Sequence, residues 1–499
     1  MGQDRLDMAS AGGPANAMDL TNPTPGEVQP WQPPAALVEA IGGYLARQRW
    51  YAGEGAPTGL QVKASEQLAE LPSARGRLLW MIVEADGDSY QLVIGERPPV
   101  EAAERFRGHE EALVGAVGDA VYYDAVVDSE MALALLALSS GGAERAQRSR
   151  PMGAEQSNSS LVYDDRLILK IFRRLSLGGP NPDVEVTTAL ARAGFAHVAA
   201  PMVRWQRDGV DLAFGQQFLT GGSDGWALAL TSIRDLYGTS ATDEPCNPAV
   251  SGGDFAAEAT RLGQVTAQMH LAMAETYGRS GELAERWQEM VRSLTDQVRR
   301  EVPDLAEPGE GLLDRLRAVA DPGPSVRVHG DYHLGQVMRS DAGWFVLDFE
   351  GEPNRPVEQR LVATSVMKDV AGMLRSLDYA PNFVLRERGG AEAPQLAELA
   401  RAWGARNRRA FLAGYYEAKG VEELLPPIED REAVRAAFEL EKALYEVGYE
   451  RAYRPDWIAI PMAALENLLR SSVPEVVKPF EAEHDDELDG TVDAEQTLY

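Results

Sequence analysis

Residues 326–353 read VRVHGDYHLGQVMRSDAGWFVLDFEGEP, and this stretch decides the fold. Val326 and Val328 mark an apolar strand that leads into Asp331; an amide, Gln336, follows five residues on, and a second apolar strand, Trp344 to Leu347, ends in Asp348. Moving a phosphoryl group onto a hydroxyl needs one carboxylate to accept the hydroxyl proton and hard oxygen ligands to hold Mg²⁺ against the phosphates. The spacing offers Asp331 as that base, with Gln336 and Asp348 as metal ligands. Either aspartate alone reads as a cap on a strand-end turn; the joint pattern points to chemistry. His329 and His333 flank the base at a spacing zinc sites use on helices, but Gly330 and the preceding strand put them on a loop, where holding the loop is the expected task.

A second group lies upstream, where GAEQSNSS (153–160) precedes LILK (167–170). Small polar residues on a strand-to-strand turn let backbone amides and hydroxyls approach phosphate oxygens, which makes Ser157, Asn158 and Ser159 candidate phosphate contacts. The turn is neither GxGxxG nor a Walker sequence, and on its own it is only a turn. Lys170 adds weight, because a charge among Leu167, Ile168, Leu169, Ile171 and Phe172 must be paired if the strand is buried. Glu185, in the first turn of the next helix, is the expected partner; an edge strand with Lys170 in water is the alternative. That helix is expected from about Pro182 to Ala193, with Asn181 as N-cap, Pro182 at its first position, and Asp183 and Glu185 in the first turn.

A third group sits on a helix around Glu441 to Arg451. Ala437, Leu440, Leu444 and Val447 form its buried stripe, while Phe438, Lys442, Tyr445 and Tyr449 share another face. Tyrosines and a lysine suit a sugar, whose C–H faces stack on rings while its hydroxyls bond polar tips; a tyrosine-rich packing face is the plain alternative.

The bulk numbers bound the rest. The chain has 499 residues, 44% hydrophobic and 25% charged, enough for more than one core. Lys plus Arg total 48 against 77 Asp plus Glu, a net charge of -29 that repels nucleic acid and anionic membrane. The single Cys246 excludes an intrachain disulfide, and with no secretory signal in view a cytoplasmic site is expected. The longest apolar run, Met131 to Leu138, cannot span a bilayer.

Residues 1–30 lack apolar periodicity, and the stretch 479–499 carries eight acidic groups and no Lys or Arg, so both are expected to be disordered. A helix over Ala36 to Tyr51 and two strands around Ala85-Asp86-Gly87-Asp88 open a small helix-plus-sheet module that extends to about residue 143. Residues 144–222 hold the strands around Lys170, including one from Phe214 to Leu219. Phe255 to Thr276, with His270, is a long helix, and helices dominate 223–478. Strands first and helices after predict an α+β protein of two lobes.

At RQRWYAG (47–53), EQSNSSLVY (155–163), LILKIFRRL (167–175), NPDVEVT (181–187), HGDYHLGQ (329–336), DFEGEPNRP (348–356), KDVAGMLRSLDYA (368–380) and KALYEVGYERAYRPDW (442–457) the chain resembles the maltokinases, within the aminoglycoside phosphotransferase-like group of eukaryotic-like kinases. These segments span most of the chain in order. The resemblance implies a bilobal kinase-like fold with an N-terminal cap subdomain, an intermediate subdomain and a mainly helical C-terminal lobe. It implies ATP-dependent, Mg²⁺-assisted phosphorylation of maltose at its anomeric hydroxyl to maltose 1-phosphate, serving α-glucan (glycogen) synthesis alongside trehalose metabolism, with trehalose synthase as a possible partner. By the same motifs Asp331 becomes the base, Gln336 and Asp348 the metal ligands, Lys170 with Glu185 the phosphate-binding pair, and Gln217-Phe218-Leu219 the segment that reads adenine. His333, Glu350, Lys442, Tyr445, Tyr449 and Arg451, with Glu352 beside them, would line the sugar site. A kinase of glucosamine or an aminoglycoside is the alternative within enzymes. A pseudokinase binding module is the alternative outside them, and it predicts loss of the lysine, the base or a metal ligand, all of which are present.

Overall fold

The computed structural model describes residues 29–71, 76–153, 158–239, 248–249, 253–352, 357–389 and 393–470. Both terminal segments expected to be disordered, apart from the last two residues of the first, lie outside the described residues, as does Ser157. The chain divides into two units. The first takes the described residues up to Gly222 together with Ser340–Gly351, and the second takes Ser223–Arg339 and the described residues from Glu352 on. The stretch that reads as one motif is therefore shared: Asp331 and Gln336 belong to the second unit, Asp348 and Glu350 to the first.

The first unit is built on two antiparallel sheets. One runs, in spatial order, Gln29–Pro30, Leu60–Leu71, Gly76–Ala85, Asp88–Arg97, Ala120–Asp124 and Leu113–Val117. Its central hairpin turns at Asp86-Gly87, both with positive φ (51° and 89°), the backbone that a two-residue Asp-Gly turn favours. Successive residues of Gly76–Ala85 face opposite sides. Leu79, Met81 and Val83 pack with Leu37, Ile41, Tyr44 and Leu45 of the helix Ala35–Leu45, while Leu78 and Trp80 join a second core with Leu135, Leu136, Leu161, Tyr163 and Leu169. That helix stops at Leu45, short of Tyr51. Arg47 donates to the Leu113 carbonyl (2.7 Å) and Gln48 to that of Glu111 (3.1 Å), and the bent segment carries Trp50 and Tyr51 into the core.

The other sheet runs Pro201–Arg207, Val210–Gln217, Leu167–Phe172, Asn158–Tyr163, Ser149–Met152. Gln91 ties the two sheets together from a fully buried position, accepting from Trp80 Nε1 (2.8 Å) and donating to the carbonyls of Phe172 (2.9 Å) and Leu212 (2.8 Å). The strand expected to reach Leu219 ends at Gln217, because the Phe218 amide turns to the Arg166 carbonyl (2.8 Å). The helix Pro182–Arg192 begins as expected: the Asn181 side chain accepts from the amides of Asp183 and Val184, a cap worth about 1 kcal/mol.

The second unit is mainly helical. Its long helices include Ala256–Tyr277, Glu282–Glu301, Met367–Arg388, Ala393–Tyr416 and Ile428–Tyr453. Ala256–Tyr277 and Ala393–Tyr416 touch backbone to backbone: a Cβ on Gly263 would lie 2.1 Å from the Phe411 carbonyl oxygen, and one on Gly414 2.0 Å from that of Thr260. The strand expected at Val326 to Val328 is absent. Val326 makes a single bridge to Thr364, and the amides that follow are claimed by a side chain on a helix. No helix among the described residues is long and apolar enough to cross a membrane.

Candidate active site

In the first unit, strand Leu167–Phe172 delivers Lys170 into a group of carboxylates. Its ammonium, with the side chain 15% exposed, lies 3.0 Å from Asp348 Oδ1, 3.0 Å from Glu350 Oε1 and 3.4 Å from Asp183 Oδ2. Asp183, which the sequence showed only as a first-turn acid, thus reaches the lysine from the helix where Glu185 was the expected partner. It is buried, and its other oxygen accepts from the Phe349 amide (3.0 Å), so helix and loop are joined at this point. Asp348 has φ of 62°, a left-handed backbone that costs a non-glycine residue about 1–3 kcal/mol and collects at functional sites.

Asp183, Asp348 and Glu350 each bring one oxygen within 4.8 Å of the others. Three carboxylates thus gather round one ammonium. Burial raises the Glu350 pKa, Lys170 opposes this, and Asp348 and Asp183 add to it; the net shift is upward. A divalent cation with a taste for oxygen fits that donor set and would relieve the repulsion. Glu350, expected beside the sugar, stands here with Lys170. Glu352, two residues later, belongs to the other unit and takes the place by Lys442.

The serine-bearing turn is partly accounted for. Asn158 is buried opposite Phe172, and Ser159 Oγ accepts from Arg173 Nε (2.9 Å), a buried arginine paired in turn with Asp124 (2.6 Å). In the segment expected to read adenine, the Gln217 amide donates to the Ala200 carbonyl (2.9 Å) and the Phe218 amide to that of Arg166 (2.8 Å), so both are engaged within the protein. Arg150 lies over the Phe218 ring.

In the second unit, the loop bearing Asp331 is fastened by Asp369, from helix Met367–Arg388. Its carboxylate accepts from the amides of His329 (2.7 Å) and Gly330 (2.9 Å) and meets His270 Nε2 (3.1 Å), while His270 Nδ1 meets the Tyr415 hydroxyl (2.8 Å). Burial pushes the Asp369 pKa up, but His270, His329 and the Gly330 amide hold it below the usual range. Gly330 has φ of 87°, and Gly372 presses against the loop so closely that a Cβ there would sit 2.5 Å from the Tyr332 carbonyl oxygen. His329 Nδ1 accepts from the Asp331 amide (3.4 Å) and His333 Nδ1 from the Gly335 amide (3.0 Å). Both histidines thus hold loop backbone. Gln336 closes the short turn Leu334–Gln336 that follows.

Asp331 Oδ1 lies 3.0 Å from Lys442 Nζ, and Oδ2 lies 4.0 Å from His333 Nε2. Lys442 also approaches Glu352 (3.6 Å) and the face of Tyr445 (5.1 Å to the ring centre). Asp331, Glu352, Lys442 and Tyr445 share one pocket, to which Gly330, Tyr332, Lys368, Gly372, Phe438 and Glu441 contribute. Burial raises the Asp331 pKa, yet Lys442, His333 and His329 outweigh it and hold the carboxyl below its ordinary value. An ionised, proton-accepting carboxylate in a pocket with a tyrosine ring and hydrogen-bond donors can take up a hydroxyl. Tyr449 packs on Tyr445 (6.4 Å between ring centres) outside this set, and Arg451, expected at the sugar, pairs with Glu301 (2.6 Å) on an exposed stretch instead. Asp369, Asp183 and His270 were the functional-site residues the sequence reading did not assign. Asp369 within KDVAGML, a buried acid on an apolar helix face, was the available signal.

Comparison with known proteins gives these arrangements a context. Residues 147–419 match the model of a phosphotransferase enzyme family, and residues 44–128 match that of a maltokinase N-terminal cap domain. A glucosamine kinase of Streptacidiphilus jiangxiensis is 29% identical over 354 residues, 66% of this chain and 75% of that one. A glucosamine kinase of Mycolicibacterium smegmatis is 28% identical over 354 residues, 66% of this chain and 82% of that one. Among solved structures, a glucosamine kinase bound to glucosamine, ADP and inorganic phosphate superposes with a TM-score of 0.59 at 23% identity, covering 88% of this chain and all of that one. Another crystal form of a glucosamine kinase reaches 0.61 at 24%, again over 88% of this chain and all of that one. These likenesses are of fold, and the fold is kinase-like.

Proposed function

We propose that this chain, which belongs to the phosphotransferase enzyme family and is a sugar kinase, transfers the terminal phosphoryl group of ATP to the anomeric hydroxyl of maltose, giving maltose 1-phosphate and ADP in the cytoplasm for α-glucan synthesis. The observation that carries the reading is the ion pair of Asp331 with Lys442 at 3.0 Å in a pocket that Tyr445 helps to line. Asp331, kept ionised by that lysine, accepts the hydrogen bond of the attacking hydroxyl and takes its proton as the new P–O bond forms. A hemiacetal hydroxyl is more acidic than a primary alcohol, and a carboxylate of depressed pKa suits it. The Tyr445 ring offers a face to the sugar's C–H bonds, and the Lys442 ammonium donates to its oxygens.

On the nucleotide side, Lys170 neutralises phosphate charge, with Asp183 fixing its position from the capped helix. Asp348 and Glu350, with Asp183 beside them, are the residues that would hold Mg²⁺; the ion, when bound, would spread the negative charge of the phosphates. Asn158 and Ser159 open the strand Asn158–Tyr163 beside Lys170's strand and are the described residues of the proposed phosphate-contacting segment. The maltokinase-type cap is what favours maltose over other sugars among the comparisons.

A second reading, a kinase of glucosamine, is favoured by the names of the relatives at 29% and 28% identity. Incubation with ATP, Mg²⁺ and an equimolar mixture of maltose, glucose and glucosamine, followed by mass analysis, separates the two. Maltose phosphate as the main product supports the first reading; glucosamine phosphate as the main product replaces it.

A further inference from the structure

We propose that a row of tyrosines leading away from the Asp331 pocket forms further subsites for a linear α-glucan, so that the acceptor site takes malto-oligosaccharides longer than maltose and holds them by their outer units. The proposal rests on the reading of that pocket as the place where the sugar's anomeric hydroxyl meets Asp331.

Tyr445 lines the pocket, and the helix Ile428–Tyr453 carries two more tyrosines at i, i+4 spacing, Tyr449 and Tyr453. Each step of four residues advances about 6 Å along the axis, so the row runs about 12 Å from its start. Exposure rises along it, from half-buried Tyr445 through Tyr449 at 38% to Tyr453 at 69%. The ring centres lie 6.4 Å and then 4.9 Å apart, and at 6.4 Å Tyr445 and Tyr449 do not close face to face. Just past the helix, Trp457 stacks on Phe383 (4.9 Å, 23° between planes). Arg454 links the two groups, 5.4 Å from the Tyr449 ring centre and 5.9 Å from that of Trp457. It is anchored on buried Glu450 (2.7 Å), and its fork has further N–H groups for a hydroxyl.

Large rings left in water in one contiguous strip mark a contact surface. Continuity with the pocket says what covers it. An α-glucan that enters by its reducing end carries its remaining units outward from Asp331, and one pyranose unit is about as long as one step of the row. Its C–H faces lie on the rings, while its hydroxyls bond the tyrosine tips and the Arg454 guanidinium. The chain is uncharged, which suits a strip whose linking cation is already paired with Glu450. Contacts so far from the reacting atoms are the same in ground and transition states, so they lower KM and leave kcat alone.

The test compares maltose and maltotetraose as acceptors, with ATP and Mg²⁺, on the full chain as wild type, Tyr453→Ala and Tyr453→Phe, with a thermal melt to check that each variant is folded. Wild-type kcat/KM for maltotetraose is expected to exceed that for maltose by about threefold or more, through a lower KM. The ratio should fall to near one in Tyr453→Ala and persist in Tyr453→Phe, which keeps the ring. A wild-type ratio near one, the result expected if the rings serve a protein partner instead, overturns the proposal, as does a raised ratio that Tyr453→Ala leaves in place. If maltose is not phosphorylated at all, the reading of the acceptor fails, and calorimetric titration with maltotetraose decides the row separately. A Kd weakened about threefold or more by Tyr453→Ala then upholds it, and no binding or an unchanged Kd overturns it.

Discussion

Asp331 shows how one side chain is made into a base by its neighbours. Its carboxyl is pulled below the ordinary carboxylate value chiefly by Lys442, against the upward push of burial. Such a group is ionised, and its interactions stabilise the protein, at all pH above the ordinary carboxylate value; both are lost as pH falls through the lower, folded-state pKa. The acid limb of kcat/KM for the sugar is accordingly expected below about pH 4 in the wild type. In Lys442→Gln it should move up, because burial remains and the cation is gone; a limb that stays in place would show that Lys442 does not tune the base. Asp331→Asn keeps the shape but not the basicity, and kcat is expected to fall about 10²–10⁴-fold with maltose binding retained. The spacing in the sequence singled out Asp331, Asp348 and Lys170 because phosphoryl transfer constrains residue types along the chain. It could not say which of Glu350 and Glu352 goes where, since a single residue of irregular backbone, Gly351, separates them and the division between units falls just after it.

At the scale of elements, the loop carrying the base is held by a carboxylate rather than by a strand. The alternation of Val326 and Val328 in the sequence predicts a buried strand, and the alternation is real, since both side chains are buried. Yet no partner strand accompanies them beyond the bridge to Thr364, and Asp369 claims the next two amides. A pattern of two valines cannot distinguish ladder from loop. Asp369→Asn weakens charged hydrogen bonds to two amides and to His270, and a loss of about 2–5 kcal/mol in unfolding free energy is expected by denaturant titration. Gly372→Ala places a methyl against the Tyr332 carbonyl and is expected to cost about 1–3 kcal/mol and to lower kcat by displacing the Asp331 loop. An alanine variant with wild-type kcat would show the contact to be incidental. The helix Pro182–Arg192, by contrast, was legible residue by residue, because Asn181 and Pro182 are local signals that need no partner.

For the whole molecule, the order of strands before helices forecast an α+β chain, and the division at residue 222 follows it. What the linear order hid is that Ser340–Gly351 returns to the strand-rich unit and carries Asp348 and Glu350 beside Lys170. Three carboxylates around one lysine predict that nucleotide binds best with a divalent cation. A thermal melt with ATP and Mg²⁺ should exceed the melt with ATP alone, with the gain lost in Lys170→Met; equal melts would remove the metal from the account. The most direct test of the central claim is phosphorus NMR of the product formed from ATP and maltose. The account predicts a single sugar phosphate coupled to the anomeric proton, formed by wild type and, in the same time, at about a hundredth of that amount or less by Asp331→Asn. A phosphate on a primary hydroxyl, or undiminished product from Asp331→Asn, would contradict it.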